Sequence, residues 1–132
     1  MSDVTYGMKG RVSLPVEEAE AKVREALAAE GFGVLTEIDV AATLKAKLDL
    51  DVPPYKILGA CNPNLASQAL DLEQDIGLLL PCNVVVYEDG DGSVVGILDP
   101  GIMVDLTTNP AVKPIADQAK EALERVLTAV TG

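Results

Sequence analysis

The sequence contains no histidine and no tryptophan, and several catalytic templates are absent with them. Without histidine there is no Ser/His/Asp triad, no Cys/His pair, no His-ligated zinc and no imidazole acid–base step. A phosphate-binding loop is missing as well: Gly31-Phe32-Gly33 begins like a dinucleotide fingerprint, but Thr36 stands where the next glycine is required. Enzymatic activity is left open by these residues, and a non-enzymatic protein is favoured.

Basic residues are scarce, because 10 Lys and Arg face 21 Asp and Glu for a net charge of −11. From Ile57 to Val112 there is no Lys or Arg at all. Such a surface repels phosphate backbones, so we expect no nucleic-acid partner. A solvated acidic face is favoured over a cation site or a basic partner for this stretch. Its eight carboxylates are Asp71, Glu73, Asp75, Glu88, Asp89, Asp91, Asp99 and Asp105.

Long apolar runs are also missing. No stretch approaches the roughly 20 residues of a membrane span, and the N-terminus lacks the charged-then-apolar order of a secretory signal. We therefore expect a cytoplasmic protein that does not enter the membrane, with its two cysteines reduced. The length of 132 residues fits one domain over residues 1–132, and 48% hydrophobic content with only four aromatic residues predicts an aliphatic core.

Apolar periodicity predicts the principal helices. Val16, Ala19, Val23, Ala26 and Leu27 share one stripe that follows Pro15 and stops at Gly31. The period of 3.6 continues from Val112 to Val130 in a final helix. Shorter helices are predicted after Asp39 and after Asn62-Pro63, where the polar side chain supplies an N-cap oxygen. The helix after Pro63 is expected to turn Leu65, Ala66, Ala69 and Leu70 inward.

Strands are predicted in the intervening β-rich segments. The run Val84-Val85-Val86 indicates a central strand, and Asp89-Gly90-Asp91-Gly92 indicates a hairpin to a strand over Val94–Leu98. Further strands are expected within residues 5–13, 32–38 and 55–60. The order of elements is strand, helix, strand, helix, strand, helix, strand, strand, helix, without a linker, which favours one α/β domain.

Two cysteine-containing turns form the candidate site. Cys61 ends a predicted strand at the mouth of the helix capped by Asn62, where free backbone N–H groups favour a thiolate. Cys82 opens the central strand between Pro81 and Asn83, and packing in the core is the leading role for it. The candidate ligand-binding residues are Cys61, Asn62, Pro63, Pro81, Cys82 and Asn83.

Three functions remain open for these turns. The first is a binding module for a small ligand or a soft metal, in which Cys61 and Cys82 are the metal ligands and a second subunit completes four sulfurs. The second is a redox or sulfur-handling protein, with Cys61 as nucleophile and Cys82 as resolving thiol. The third is a structural or regulatory dimer with inert thiols. Asp71, Glu73 and Asp75 imitate a calcium loop, but Ile76 and Cys82 stand where that loop needs Gly and Glu.

Two blocks of the sequence resemble the domain-of-unknown-function family 302. They are the segment 55–63, read as Tyr-Lys-Ile-Leu-Gly-Ala-Cys-Asn-Pro, and the segment 77–87 around Pro81-Cys82-Asn83. Residues 31–39 and Asp99-Pro100 add to the similarity, which spans nearly the whole chain. The resemblance implies no activity, substrate or cofactor, but it implies a homodimer. Together, the resemblance and the predicted hairpin indicate an α/β fold of the α+β type. This fold is a single two-layer domain with helices packed on a mixed, largely antiparallel curved sheet.

Overall fold

Five strands form one sheet in the computed structural model, which describes residues 4–132. They are β1 (Gly7–Val12), β2 (Gly33–Asp39), β3 (Tyr55–Cys61), β4 (Cys82–Asp89) and β5 (Gly92–Leu98). The order across the sheet is β1-β5-β4-β3-β2, and each neighbouring pair is antiparallel. The predicted α/β class is confirmed, with β4 at the centre of the sheet.

Five helices accompany the sheet; the caps at Asp39 and Asn62 open two of them as predicted, whereas no helix was predicted over the fourth. They are α1 (Val16–Ala29), α2 (Val40–Leu48), α3 (Pro63–Leu72), α4 (Ile102–Thr107) and α5 (Lys113–Thr131), with 3₁₀ turns at Gln74–Leu79 and Pro110–Val112. Asp39 caps α2 by accepting a hydrogen bond from the Ala42 N–H at 2.9 Å. Gly31, with a φ of +80°, follows the end of α1, because glycine adopts this left-handed conformation without a steric penalty.

One face of the sheet carries the main core. The register pairs Ala60 with Cys82, Leu58 with Val84 and Val86 with Val95, so these side chains point to the same side. Helices α1 and α5 cover that side and bury one apolar stripe each. The buried helix residues are Val16, Ala19, Val23 and Leu27 of α1, with Ala119, Ala122, Leu123, Val126 and Val130 of α5.

A second, smaller core lies beside the first. Ala69 of α3, Ile76 of the first 3₁₀ turn and Met103 of α4 pack there against Val112 and Ile115. This cluster joins the segment between β3 and β4 to the segment between β5 and α5. The second core therefore closes the end of the sheet at which β3 ends and β4 begins.

The predicted inward face of α3 is only partly buried, and α2 is largely exposed. Leu70 is 42% exposed, because α3 packs through Leu65 and Ala69, and Leu70 lies about 100° farther round the helix. Helix α2 buries none of its residues and packs mainly against the edge strand β2 and its neighbour β3. None of the helices within residues 4–132 has the length and apolar character that crossing a membrane requires.

Candidate functional site

The first cysteine lies at a strand-to-helix corner. Cys61 is the last residue of β3 and is half-buried. Asn62 follows as the N-cap of α3, where its Oδ1 accepts hydrogen bonds from the Asn64 N–H at 3.1 Å and the Leu65 N–H at 3.3 Å. Pro63 occupies the first helical position, which needs no amide donor. The Asn62 side-chain oxygen therefore caps the start of α3, as predicted from the sequence.

The second cysteine is buried at the start of the central strand. Cys82 lies opposite Ala60 in the β3–β4 ladder, on the face covered by helices. Burial raises the pKa of the Cys82 thiol from 9.0 to about 11, and the nearby Cys61 adds a smaller contribution in the same direction. At pH 7 only about one Cys82 side chain in ten thousand is then a thiolate.

Both cysteines line one small cavity between the two cores. Its volume is about 30 Å³, which accommodates little more than one or two water-sized groups. Apart from Asn62, its lining consists of apolar and sulfur-containing residues. The remaining lining residues are Phe32, Ala60, Leu65, Ala66, Ala69, Leu80, Met103, Ile115 and Ala119. A bound group would thus contact mainly apolar and sulfur-containing side chains.

The structure separates the six candidate residues into two sets. Cys61, Asn62 and Cys82 line the cavity, whereas Pro63, Pro81 and Asn83 do not. Pro81, which follows a cis peptide bond, packs over the backbone of β3: a Cβ placed on Gly59 would lie 2.7 Å from the Pro81 Cγ. Asn83 is exposed on the opposite face of the sheet from Cys82, because successive strand residues alternate.

Met103 is the sulfur-containing lining residue that the sequence did not reveal. It lies in α4 and is only 4% exposed, so its thioether is a third sulfur at a cavity that already has two. A lone methionine in a short helix has no periodic partner from which its position could be inferred. Packing of α4 against α5 and the 3₁₀ turn Pro110–Val112 brings Met103 to the cavity that Cys61 and Cys82 line.

No group of three His, Cys, Asp or Glu side chains that could hold a metal ion occurs among residues 4–132. In the acidic run that imitates a calcium loop, Asp71 and Asp75 are exposed. Glu73 accepts a hydrogen bond from the Asn109 Nδ2 at 3.4 Å. The sulfur-lined cavity is therefore the candidate site that the cysteine-containing segments build.

Comparison with known proteins places the chain in a family without an assigned activity. Residues 8–130 match the family model described as Domain of unknown function DUF302. The chain is also similar to the crystal structure of uncharacterized conserved protein DUF302 from Bacillus stearothermophilus. The two share 32% sequence identity over 96% of this chain and 98% of that chain, with a TM-score of 0.88. No curated protein matches. The chain therefore belongs to the DUF302 family.

Proposed function

We propose that this chain is a homodimeric, non-enzymatic binding protein whose ligand is a soft metal ion held by the sulfurs of the small cavity. The observation that carries the proposal is the meeting of Cys61, Cys82 and Met103 at one cavity. The chain has five sulfur-containing residues, two Cys and three Met, and three of the five line this cavity.

The size of the cavity favours an ion over an organic molecule. Pockets for drug-sized ligands usually enclose about 300–1,000 Å³. A space of about 30 Å³ is an order of magnitude smaller and fits an ion or a group of very few atoms. Coordination of a single metal ion by the two thiols needs no more room than this.

The chemistry of the lining favours a soft ion over a hard one. Thiolate and thioether sulfurs select Cu(I), whereas Mg²⁺ and Ca²⁺ require several oxygen ligands. The apolar walls supply no carboxylate, and structural zinc needs four ligands where one chain offers three sulfurs. A monovalent soft ion also needs less compensating charge than a divalent one beside such apolar walls.

The redox alternative is less well supported by the same geometry. A resolving thiol must attack as the thiolate, and the raised pKa of Cys82 leaves that form scarce at neutral pH. The structural alternative, a dimer with inert cysteines, predicts no metal retention and is separated from the proposal by the experiment below.

Assembly and location are also part of the proposal. A homodimer is what similarity to the family implies, and native mass spectrometry of the untagged protein would contradict it by showing only monomer. The cytoplasm is proposed because Cys61 and Cys82 are both free thiols, which persist in a reducing compartment.

The test is a competition for Cu(I) between the reduced protein and a chromophoric chelator, without oxygen. We expect one ion bound per chain, and loss of that binding in the Cys61→Ala, Cys82→Ala double variant. Met103→Leu conserves volume but removes the thioether, and should weaken binding at least about tenfold. Met8→Leu is the matched control, because Met8 packs on the main core away from the cavity.

Affinity for Cu(I) should also rise with pH, since binding displaces the proton that Cys82 retains. Release of one proton raises the apparent binding constant about tenfold per pH unit below the thiol pKa. Copper binding that is equal in the wild type and the double variant would contradict the proposed site. So would equal effects of the Met103 and Met8 substitutions.

A further inference from the structure

The face of the sheet opposite α1 and α5 carries a groove of about 360 Å³. It crosses β1, β5 and β4, with Tyr55 of β3 at its side. Its lining residues are Val4, Tyr6, Gly7, Lys9, Tyr55, Asn83, Val85, Tyr87, Gly96, Ile97 and Leu98. This volume falls within the range of small-molecule sites, unlike that of the sulfur-lined cavity.

Five polar side chains border the groove. They are the Lys9 ammonium, the hydroxyls of Tyr6, Tyr55 and Tyr87, and the Asn83 amide. Across residues 4–132, none of these five groups makes a side-chain hydrogen bond, and none is fully buried. A set of donors at one concave surface, all available to an incoming molecule, is the arrangement that recognises an oxygen-rich group.

The charge at this groove runs against that of the whole chain. The protein has a net charge of −11, yet no lining residue of the groove is a carboxylate. Most other basic side chains, such as Arg11 and Lys120, are ion-paired with Asp or Glu. Lys9 is half-buried and has no carboxylate partner within the described part of the chain. Its unneutralised charge therefore favours an anion.

Flat apolar surface adjoins these donors. The rings of Tyr55 and Tyr87 stack with centroids 5.2 Å apart and an angle of 7° between their planes. Burial raises the pKa of Tyr55, with smaller contributions from Tyr87 and Tyr6, so its hydroxyl stays a donor at neutral pH. At Gly96 a Cβ would lie 3.5 Å from the Lys9 Cγ, which shows that the lysine stem runs close over a strand position without a side chain.

From this combination we propose that the groove binds a small organic carboxylate with a flat apolar or aromatic body. The Lys9 ammonium pairs with the carboxylate, the tyrosine hydroxyls and the Asn83 amide donate to its oxygens, and the body lies against Val85, Leu98 and the tyrosine rings. The groove lies on the opposite face from Cys82, so this site is separate from the proposed metal site.

The test uses 2-naphthoate as the probe and 2-naphthalenemethanol as its neutral analogue. Titration of ¹⁵N-labelled, reduced, metal-free protein should shift amide resonances of β1, β4 and β5 saturably with naphthoate, and the alcohol should bind at least about tenfold more weakly. Lys9→Gln should lose about tenfold or more in affinity for naphthoate. Lys47→Gln is the matched control, because Lys47 is an exposed lysine of α2 outside the groove.

Three outcomes would overturn the proposal. The first is no saturable shift at millimolar naphthoate, and the second is equal affinity of Lys9→Gln and Lys47→Gln. The third is a shift of the same amide resonances that depends on the protein concentration and not on the naphthoate concentration. A second copy of the chain would then occupy this face. A folded spectrum of Lys9→Gln confirms that a loss of binding is not a loss of structure.

Discussion

Alkaline pH should destabilise the fold through a single buried thiol. Cys82 has a pKa of about 11 in the folded chain against 9.0 as the ordinary value, because the apolar surroundings disfavour the thiolate. Below pH 9 the thiol is protonated in both the folded and the unfolded chain, so its ionisation does not change the free energy of unfolding. Above pH 9 the unfolded chain loses the proton first, so stability falls as the pH rises toward 11.

The size of the effect follows from the two pKa values. Linkage gives a loss that is small at pH 9, about 1 kcal/mol at pH 10 and about 2 kcal/mol at pH 11. The losses at pH 10 and 11 are substantial fractions of the free energy of unfolding of a domain this size, which is commonly about 5–15 kcal/mol. Lys and Tyr groups titrate in the same range, so the contribution of Cys82 has to be isolated by difference.

Urea unfolding followed by circular dichroism, under a reductant, provides that difference. Cys82→Ala removes the titrating group and adds a packing cost that does not depend on pH. The excess stability of the wild type over Cys82→Ala should shrink by about 1 kcal/mol between pH 9 and pH 10. Parallel stability curves for the two proteins would refute the reasoning, because they would show that Cys82 ionises equally well folded and unfolded.

Two further substitutions test close packing elsewhere. Gly59→Ala should destabilise the fold by about 1–3 kcal/mol in urea unfolding, since the added Cβ overlaps the Thr36 Oγ1, and Thr36→Ala should recover part of the loss; no recovery would contradict the overlap. Ser93→Ala should cost about 1 kcal/mol, because the buried Ser93 hydroxyl donates to the Leu14 carbonyl oxygen at 2.7 Å. An unchanged unfolding midpoint would show that this bond contributes nothing.

The elements of this fold are predictable where local chemistry decides them. Helices α1 and α5 follow from apolar period, and the N-caps at Asp39 and Asn62 follow from side chains that can accept amide hydrogen bonds. The hairpin between β4 and β5 follows from glycine at Gly90, whose φ is +61°. In each case the determining residues lie within a few positions of one another.

The parts decided by distant contacts were not predictable in the same way. The position of β1 beside β5 depends on how the N-terminal strand meets the hairpin, and nothing local encodes it. The exposure of Leu70 depends on which stripe of α3 meets its neighbours. Met103 enters the candidate site only because α4 docks in the second core, so its role had no sequence signal.

The candidate residues around β4 show how the pleat divides a sequence motif. Pro81-Cys82-Asn83 reads as one chemical unit, but alternation sends Cys82 to the helix-covered face and Asn83 to the open groove. Because a buried central strand separates the two sites, each should respond only to its own residues. Lys9→Gln should therefore leave Cu(I) affinity unchanged, and the double cysteine variant should bind 2-naphthoate as the wild type does. Loss of both Cu(I) and 2-naphthoate binding in either variant would mean that the two sites are coupled through β4. It would contradict the prediction that they are independent.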